Sequence, residues 1–185
     1  MIYPISAYGD PVLRQESEDI SPDYPELQKL IDDMFETMYH AEGVGIAAPQ
    51  VGKAIRLFVV DTTPMTEDDD DELDLKAAFI NPEILEYYGD EWSMQEGCLS
   101  IPGIHENVSR PEFIKIHYFD ENFVEHTKVF EGYAARVIQH EYDHLDGEMF
   151  IDHVNALRKR MIKSKLMNIA KGNVRTSYRM VPPKK

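Results

Sequence analysis

His140-Glu141-Tyr142-Asp143-His144 is the stretch on which the reading of this chain turns. Residues four apart on an α-helix lie on one face, a turn above one another, so two histidines at that spacing reach a single metal ion. A glutamate beside the first can take or give the proton of a water at that ion. The surroundings predict the helix this requires. Glu131-Gly132 breaks a β-like run, Ala134, Val137, Ile138 and Leu145 then recur at helical spacing, and Gly147 supplies a stop. The competing reading is an exposed helical turn that happens to be rich in histidine and acids.

Two histidines leave such a centre incomplete, because catalytic zinc-type sites take three protein ligands and keep a fourth position for water. The chain has one cysteine, Cys98, within Glu96-Gly97-Cys98-Leu99-Ser100. An isolated cysteine is ordinarily a small buried hydrophobe. Framed by glycine and polar residues, and with a ligand missing, Cys98 is instead the candidate thiolate that joins His140 and His144 around a tetrahedral metal.

Further out, Leu27, Leu30, Ile31, Met34, Phe35, Met38 and Tyr39 form a helical stripe, with a start at Ser21-Pro22 and an end at Gly43. The loop Gly43-Val44-Gly45-Ile46-Ala47-Ala48-Pro49-Gln50 combines small residues that allow close backbone approach with an amide donor at Gln50. It follows a helix and lacks a third glycine, which excludes a dinucleotide fingerprint. Residues 55–61 read as a buried strand, 79–88 as strand material interrupted at Asn81-Pro82, and 113–119 with 123–130 as a hairpin. Six acids, Glu67 to Glu72, predict a solvated loop without the ligand spacing of an EF-hand. Residues 155–171 read as a basic helix whose apolar face is Leu157, Met161, Ile162, Leu166 and Ile169.

Composition bounds the class. At 185 residues a single domain with a substantial core is expected. One cysteine excludes an intrachain disulfide framework and fits a reducing, cytoplasmic setting. No signal peptide is legible at the start, and no apolar run is long enough to span a bilayer. The net charge of −15 is asymmetric: ten of the 19 Lys and Arg residues lie in 155–185, where there is no acid, leaving nine basic and 34 acidic side chains before them. A basic tail on an acidic body suits an anionic surface, nucleic acid included, or simply a solvated helix.

With these motifs assembled, the sequence resembles the peptide deformylases. Gly43 to Gln50, Glu96 to Ser100, and His140 to His144 stand in that family's order, and Tyr8 to Arg14 looks like its N-terminus; the resemblance covers about residues 3–155. It implies an α+β fold, with mixed and antiparallel sheets packed around a central metal-binding helix, an N-terminal helix and a C-terminal basic helix. The catalytic domain is expected over residues 1–172, with a basic tail at 173–185. The implied reaction removes the formyl group from the N-terminal formyl-methionine of new polypeptides and releases formate. The resemblance assigns Cys98, His140 and His144 to the metal, Glu141 to proton transfer, and the Gln50 amide and Leu99 backbone N–H to the oxyanion. The peptide would pair with the backbone at Val44 and Gly45, near Gly97. The methionine pocket would be lined by Val44, Met94, Tyr133, Val137 and His140, with Arg136 at its rim. One sulfur and two nitrogens suit zinc, whereas the resemblance implies ferrous iron, with zinc or nickel as replacements. Arg110 is expected to pair with Asp143.

Three other readings share parts of this pattern. A zincin peptidase takes a downstream Glu or His as third ligand, and neither Glu148 nor His153 has metzincin spacing. A cysteine hydrolase would use Cys98 with one histidine. A metal-stabilised adaptor would contact the ribosome through the basic tail and have no chemistry.

Overall fold

The apolar runs of the middle of the chain fold into an antiparallel meander in the computed structural model, which describes residues 1–65 and 74–183. In chain order the strands are β1 (Ile5–Ser6), β2 (Gly45–Ala47), β3 (Leu57–Asp61), β4 (Lys76–Cys98), β5 (Ile101–Phe119), β6 (Glu125–Glu131) and β7 (Met180–Val181). The helices are α1 (Leu27–His40), α2 (Gly132–Leu145) and α3 (Ala156–Ala170). Strands β2-β3-β4-β5-β6 form one antiparallel sheet in that order, and β1 pairs with β7 in parallel. The acidic run Glu67–Glu72 lies outside the described residues.

β3 is buried along its whole length, as its unbroken run Leu57-Phe58-Val59-Val60 requires. β4 does not stop at Asn81-Pro82. Asn81 takes a left-handed conformation (φ 48°) and the register shifts there, so the strand bulges and continues. The Asn81 side chain replaces a strand partner, accepting from the Ile20 N–H at 2.9 Å and donating to the Ile20 carbonyl at 2.8 Å. β4 and β5 meet at Leu99-Ser100, with Cys98 opposite Ile101. The cysteine motif therefore occupies the end of a long hairpin.

α1 begins at Leu27, five residues beyond the predicted Pro22. Pro25 disfavours helix at Tyr24, and Glu26 is left-handed (φ 53°). From Leu27 most of the predicted stripe holds: Leu27, Leu30, Ile31, Met34 and Met38 are buried against β2 and β3, Phe35 is partly buried, and Tyr39 at the helix end is exposed. α2 is buried nearly all round, packing on β2, β3, β5 and β6. It ends where expected: Gly147 has φ 73°, and a Cβ there would come within 2.7 Å of the Arg14 carbonyl oxygen. α3 buries Ile162, Leu166 and Ile169, but Leu157 and Met161 of the predicted apolar face are 65% and 60% exposed. Asn155 caps it, accepting from the Arg158 N–H at 2.9 Å.

Candidate metal centre

Cys98 comes from the β4–β5 hairpin end, His140 and His144 from consecutive turns of α2. One ligand atom from each lies within 4.8 Å of the other two. Cys98 Sγ is 3.4 Å from His144 Nε2. Bonds of about 2.3 Å to sulfur and 2.0–2.1 Å to nitrogen at a tetrahedral ion put two ligand atoms about 3.5 Å apart, so the residues fit a divalent metal. His140 has its Nδ1 on Glu96 Oε1 at 2.9 Å, which leaves Nε2 for the centre. A carboxylate on the far nitrogen of a ligating histidine fixes ring and tautomer. Burial would push the Cys98 thiol up, but the charges and hydrogen bonds of His144 and His140 outweigh it and bring it down to about 5. That favours the thiolate a metal needs.

The other predicted residues gather around the same centre. A cavity of about 540 Å³ is lined by Val44, Gly45, Gln50, Met94, Gly97, Cys98, Leu99, Tyr133, Val137, His140 and Glu141, with His144 buried beneath it. Gln50 Oε1 accepts from the Ala47 N–H at 2.9 Å, so its amide nitrogen faces the site, 3.4 Å from Cys98 Sγ and 3.2 Å from Ser100 Oγ. Glu141 is buried, and its Oε2 has no hydrogen-bond partner among the described residues. Burial pushes its carboxyl up to about 7, against the lowering charges of His140 and His144. What approaches Gly45 closely is Glu141: a Cβ on Gly45 would stand 2.7 Å from Glu141 Oε1. A side chain there would displace the carboxylate.

Beneath α2 lies a charged network that the motifs only hinted at. Glu96 accepts two bonds from Arg110, Nε to Oε2 at 2.7 Å and Nη2 to Oε1 at 3.0 Å, and one from Arg136 Nη1 at 2.8 Å, besides that of His140. Burial would raise its carboxyl, but the hydrogen bonds and charges of His140 and Arg110 hold it well below the usual carboxylate range. Arg110 also reaches Asp143 at 2.9 Å, as expected, and His153 meets the same Asp143 oxygen at 2.8 Å. Arg136 lines the cavity from its buried side, not from an exposed rim. It is 2% exposed, donates to the carbonyls of Val108 (2.7 Å) and Trp92 (2.6 Å), and lies 4.5 Å over the Trp92 ring. An arginine on the buried side of a helix has to find acceptors, and that was the signal available in the sequence. The cavity lining also includes Arg175, Thr176, Ser177 and Tyr178, for which no motif prepared us.

The family model for polypeptide deformylase matches residues 2–160. The chain belongs to that family. The peptide deformylase of Christiangramia forsetii is 52% identical over 187 aligned residues, which cover 97% of this chain and 95% of the relative. The peptide deformylase structure from Thermus thermophilus matches with a TM-score of 0.82 at 39% identity, over 93% of this chain and 99% of that one. The structure from Plasmodium falciparum matches at 0.81 and 36%, over 91% and 95%. The α+β deformylase fold expected from the motifs is therefore the fold observed. Peptide deformylases are hydrolases of protein biosynthesis that carry out N-terminal deformylation with a metal, and this member holds a Cys–His–His group suited to one. No helix of the described residues is long and apolar enough to cross a membrane.

Proposed function

We propose that this deformylase hydrolyses the formamide of N-terminal formyl-methionine on new polypeptides: water adds to the formyl carbon, the C–N bond breaks, and formate and a free amine leave. The observation that carries the reading is the convergence of Cys98, His140 and His144 in one cavity with the unpartnered carboxylate oxygen of Glu141 and the amide nitrogen of Gln50. Cys98, His140 and His144 would hold one divalent metal, ferrous iron in our reading, with zinc or nickel as replacements. When bound it supplies Lewis-acid chemistry, polarising the carbonyl and making hydroxide available near neutrality.

The chain's own groups do the rest. Glu141 takes the proton of the attacking water and delivers it to the departing nitrogen. Gln50 donates from Nε2, and Leu99 from its backbone N–H, to the oxygen that gains charge. β2 is the terminal strand of its sheet, which supports pairing of an extended peptide along Val44 and Gly45. Met94, Tyr133 and Val137 supply a mostly apolar pocket for the methionine side chain. A cysteine hydrolase needs one histidine on its thiolate; two imidazoles on one sulfur, the first oriented by Glu96, support metal ligation instead. The exposed Lys159, Arg160, Lys163 and Lys165 of α3 support a contact with ribosomal RNA near the emerging chain.

The deciding experiment measures formate released from formyl-Met peptides by anaerobically prepared protein loaded with iron, zinc or nickel. Release that a chelator abolishes and metal restores is expected. No formate from any of the three forms would overturn the reaction, and a zinc form as active as the iron form would overturn the iron assignment.

A further inference from the structure

The cavity has a wall that the catalytic residues do not account for. Beyond α3 the chain returns along the body: the Ile5 N–H bonds to the Arg179 carbonyl and the Ala7 N–H to the Val181 carbonyl, both at 2.9 Å. This return path carries Arg175, Thr176, Ser177 and Tyr178 along the cavity that holds Cys98 and Glu141. Tyr178 fastens it there. Its hydroxyl donates to the Leu99 carbonyl at 2.7 Å, and its ring packs on the same apolar cluster as Leu99. The Thr176 hydroxyl bonds to the Tyr178 carbonyl and closes the turn between them.

Charge distinguishes this wall from the rest. The exposed charged or titratable side chains lining the cavity are Glu42, His105 and Arg175, while Glu96, Arg136 and Glu141 are buried. Glu42 belongs to the segment entering β2, along which the peptide would run; Arg175 belongs to the returning chain. No hydrogen bond or ion pair engages the Arg175 guanidinium among the described residues. A planar guanidinium fork presented to a cleft matches a carboxylate.

We propose that Arg175–Tyr178 form the downstream wall of the substrate cleft and that Arg175 recognises a carboxylate on the residues following the formyl-methionine. The inference rests on the deformylase reading and names a sequence preference within it. Tyr178 acts as a positioning residue, holding the wall against Leu99. An exposed pair of this kind is worth about two- to fivefold in affinity, so the preference falls on KM and weakens with salt.

The test uses the full-length, iron-loaded protein under anaerobic conditions, with formyl-Met-Ala-Glu-amide, formyl-Met-Ala-Gln-amide, formyl-Met-Ala-Lys-amide and formyl-Met-Ala-Gln as the free acid. For the wild type, kcat/KM for the Glu peptide should exceed that for the Lys peptide about two- to fivefold through a lower KM, with the deformylated products showing the same order of affinity by calorimetry. Arg175→Ala should level the order and Arg175→Glu should reverse it. Tyr178→Phe, which keeps the ring and loses the bond to Leu99, should shrink it. A preference for the free acid over its amide, lost in Arg175→Ala, supports the same recognition with the C-terminal carboxylate as its source. Formate release and product binding that are indifferent to the third residue, in wild type and Arg175→Ala alike, overturn the proposal and leave the reaction standing. No formate from any peptide overturns the deformylase reading, and the proposal with it.

Discussion

α2 and α3 are helices of nearly equal length, 14 and 15 residues, each placing charged side chains among apolar ones. Their fates differ because their surroundings differ. α2 is enclosed by the sheet, so its polar residues must be satisfied inside the protein: His140 on Glu96, Arg136 on Glu96 and two carbonyls, Asp143 on Arg110 and His153. α3 rests on the body through Ile162, Leu166 and Ile169 and leaves its lysines in water. Polar groups in the first setting are held at fixed geometry in a low dielectric and can do chemistry. In the second they are screened and free, suited to long-range attraction.

From that contrast, substitutions on the two helices should differ by orders of magnitude. The largest effect is expected at Glu141: Glu141→Gln should lower kcat for formate release by about 100- to 10,000-fold, with metal content retained. Full activity in that variant would contradict the contrast at its strongest point. Next is Glu96. Glu96→Ala leaves Arg110 and Arg136 without their shared carboxylate and should cost about 3–5 kcal/mol of stability in denaturant unfolding. Freeing His140 Nδ1 should weaken metal affinity about 10- to 100-fold, read by competition with a chelator. A variant as stable as the wild type would show that the network is not what holds α2.

On α3 the effects shrink. Asn155→Ala removes the side-chain cap and should cost about 1 kcal/mol, measured as a shift of the unfolding midpoint at constant slope. Smallest is the double replacement Lys163→Ala with Lys165→Ala, within about 0.5 kcal/mol of wild-type stability and without effect on formate release. The same pair should flatten the salt dependence of ribosome binding by up to about one log unit per lost phosphate contact. Ribosome binding that keeps its salt slope in this variant would remove α3 from the proposed contact.

The legible parts of the molecule were those whose signal is local. The α2 helix, its stop at Gly147 and the strand around Val59 follow from periodicity and turn chemistry within a dozen residues. The start of α1 was misplaced because Pro22 looks like a helix opener until Pro25 and the left-handed Glu26 are weighed against it. Asn81-Pro82 looked like a break because a bulge stabilised from Ile20, 61 residues away, leaves no local trace. The burial of Arg136 left no local trace for the same reason: its partners come from Trp92, Glu96 and Val108.

The residues alone supply the functional groups: two histidines one helical turn apart, an acid between them, a lone cysteine framed by glycine and polar residues, and an amide in a glycine-rich loop. Those are choices of functional group, and each is written in the chain. How these groups are held, and which others join them, is settled by the fold in three dimensions. Glu96 orients His140, Glu141 is seated against Gly45, and Tyr178 is fastened to Leu99 across 79 residues of chain. Such contacts depend on where the sheet carries each segment in space, and a buried charge or hydroxyl then takes whichever partner the fold presents.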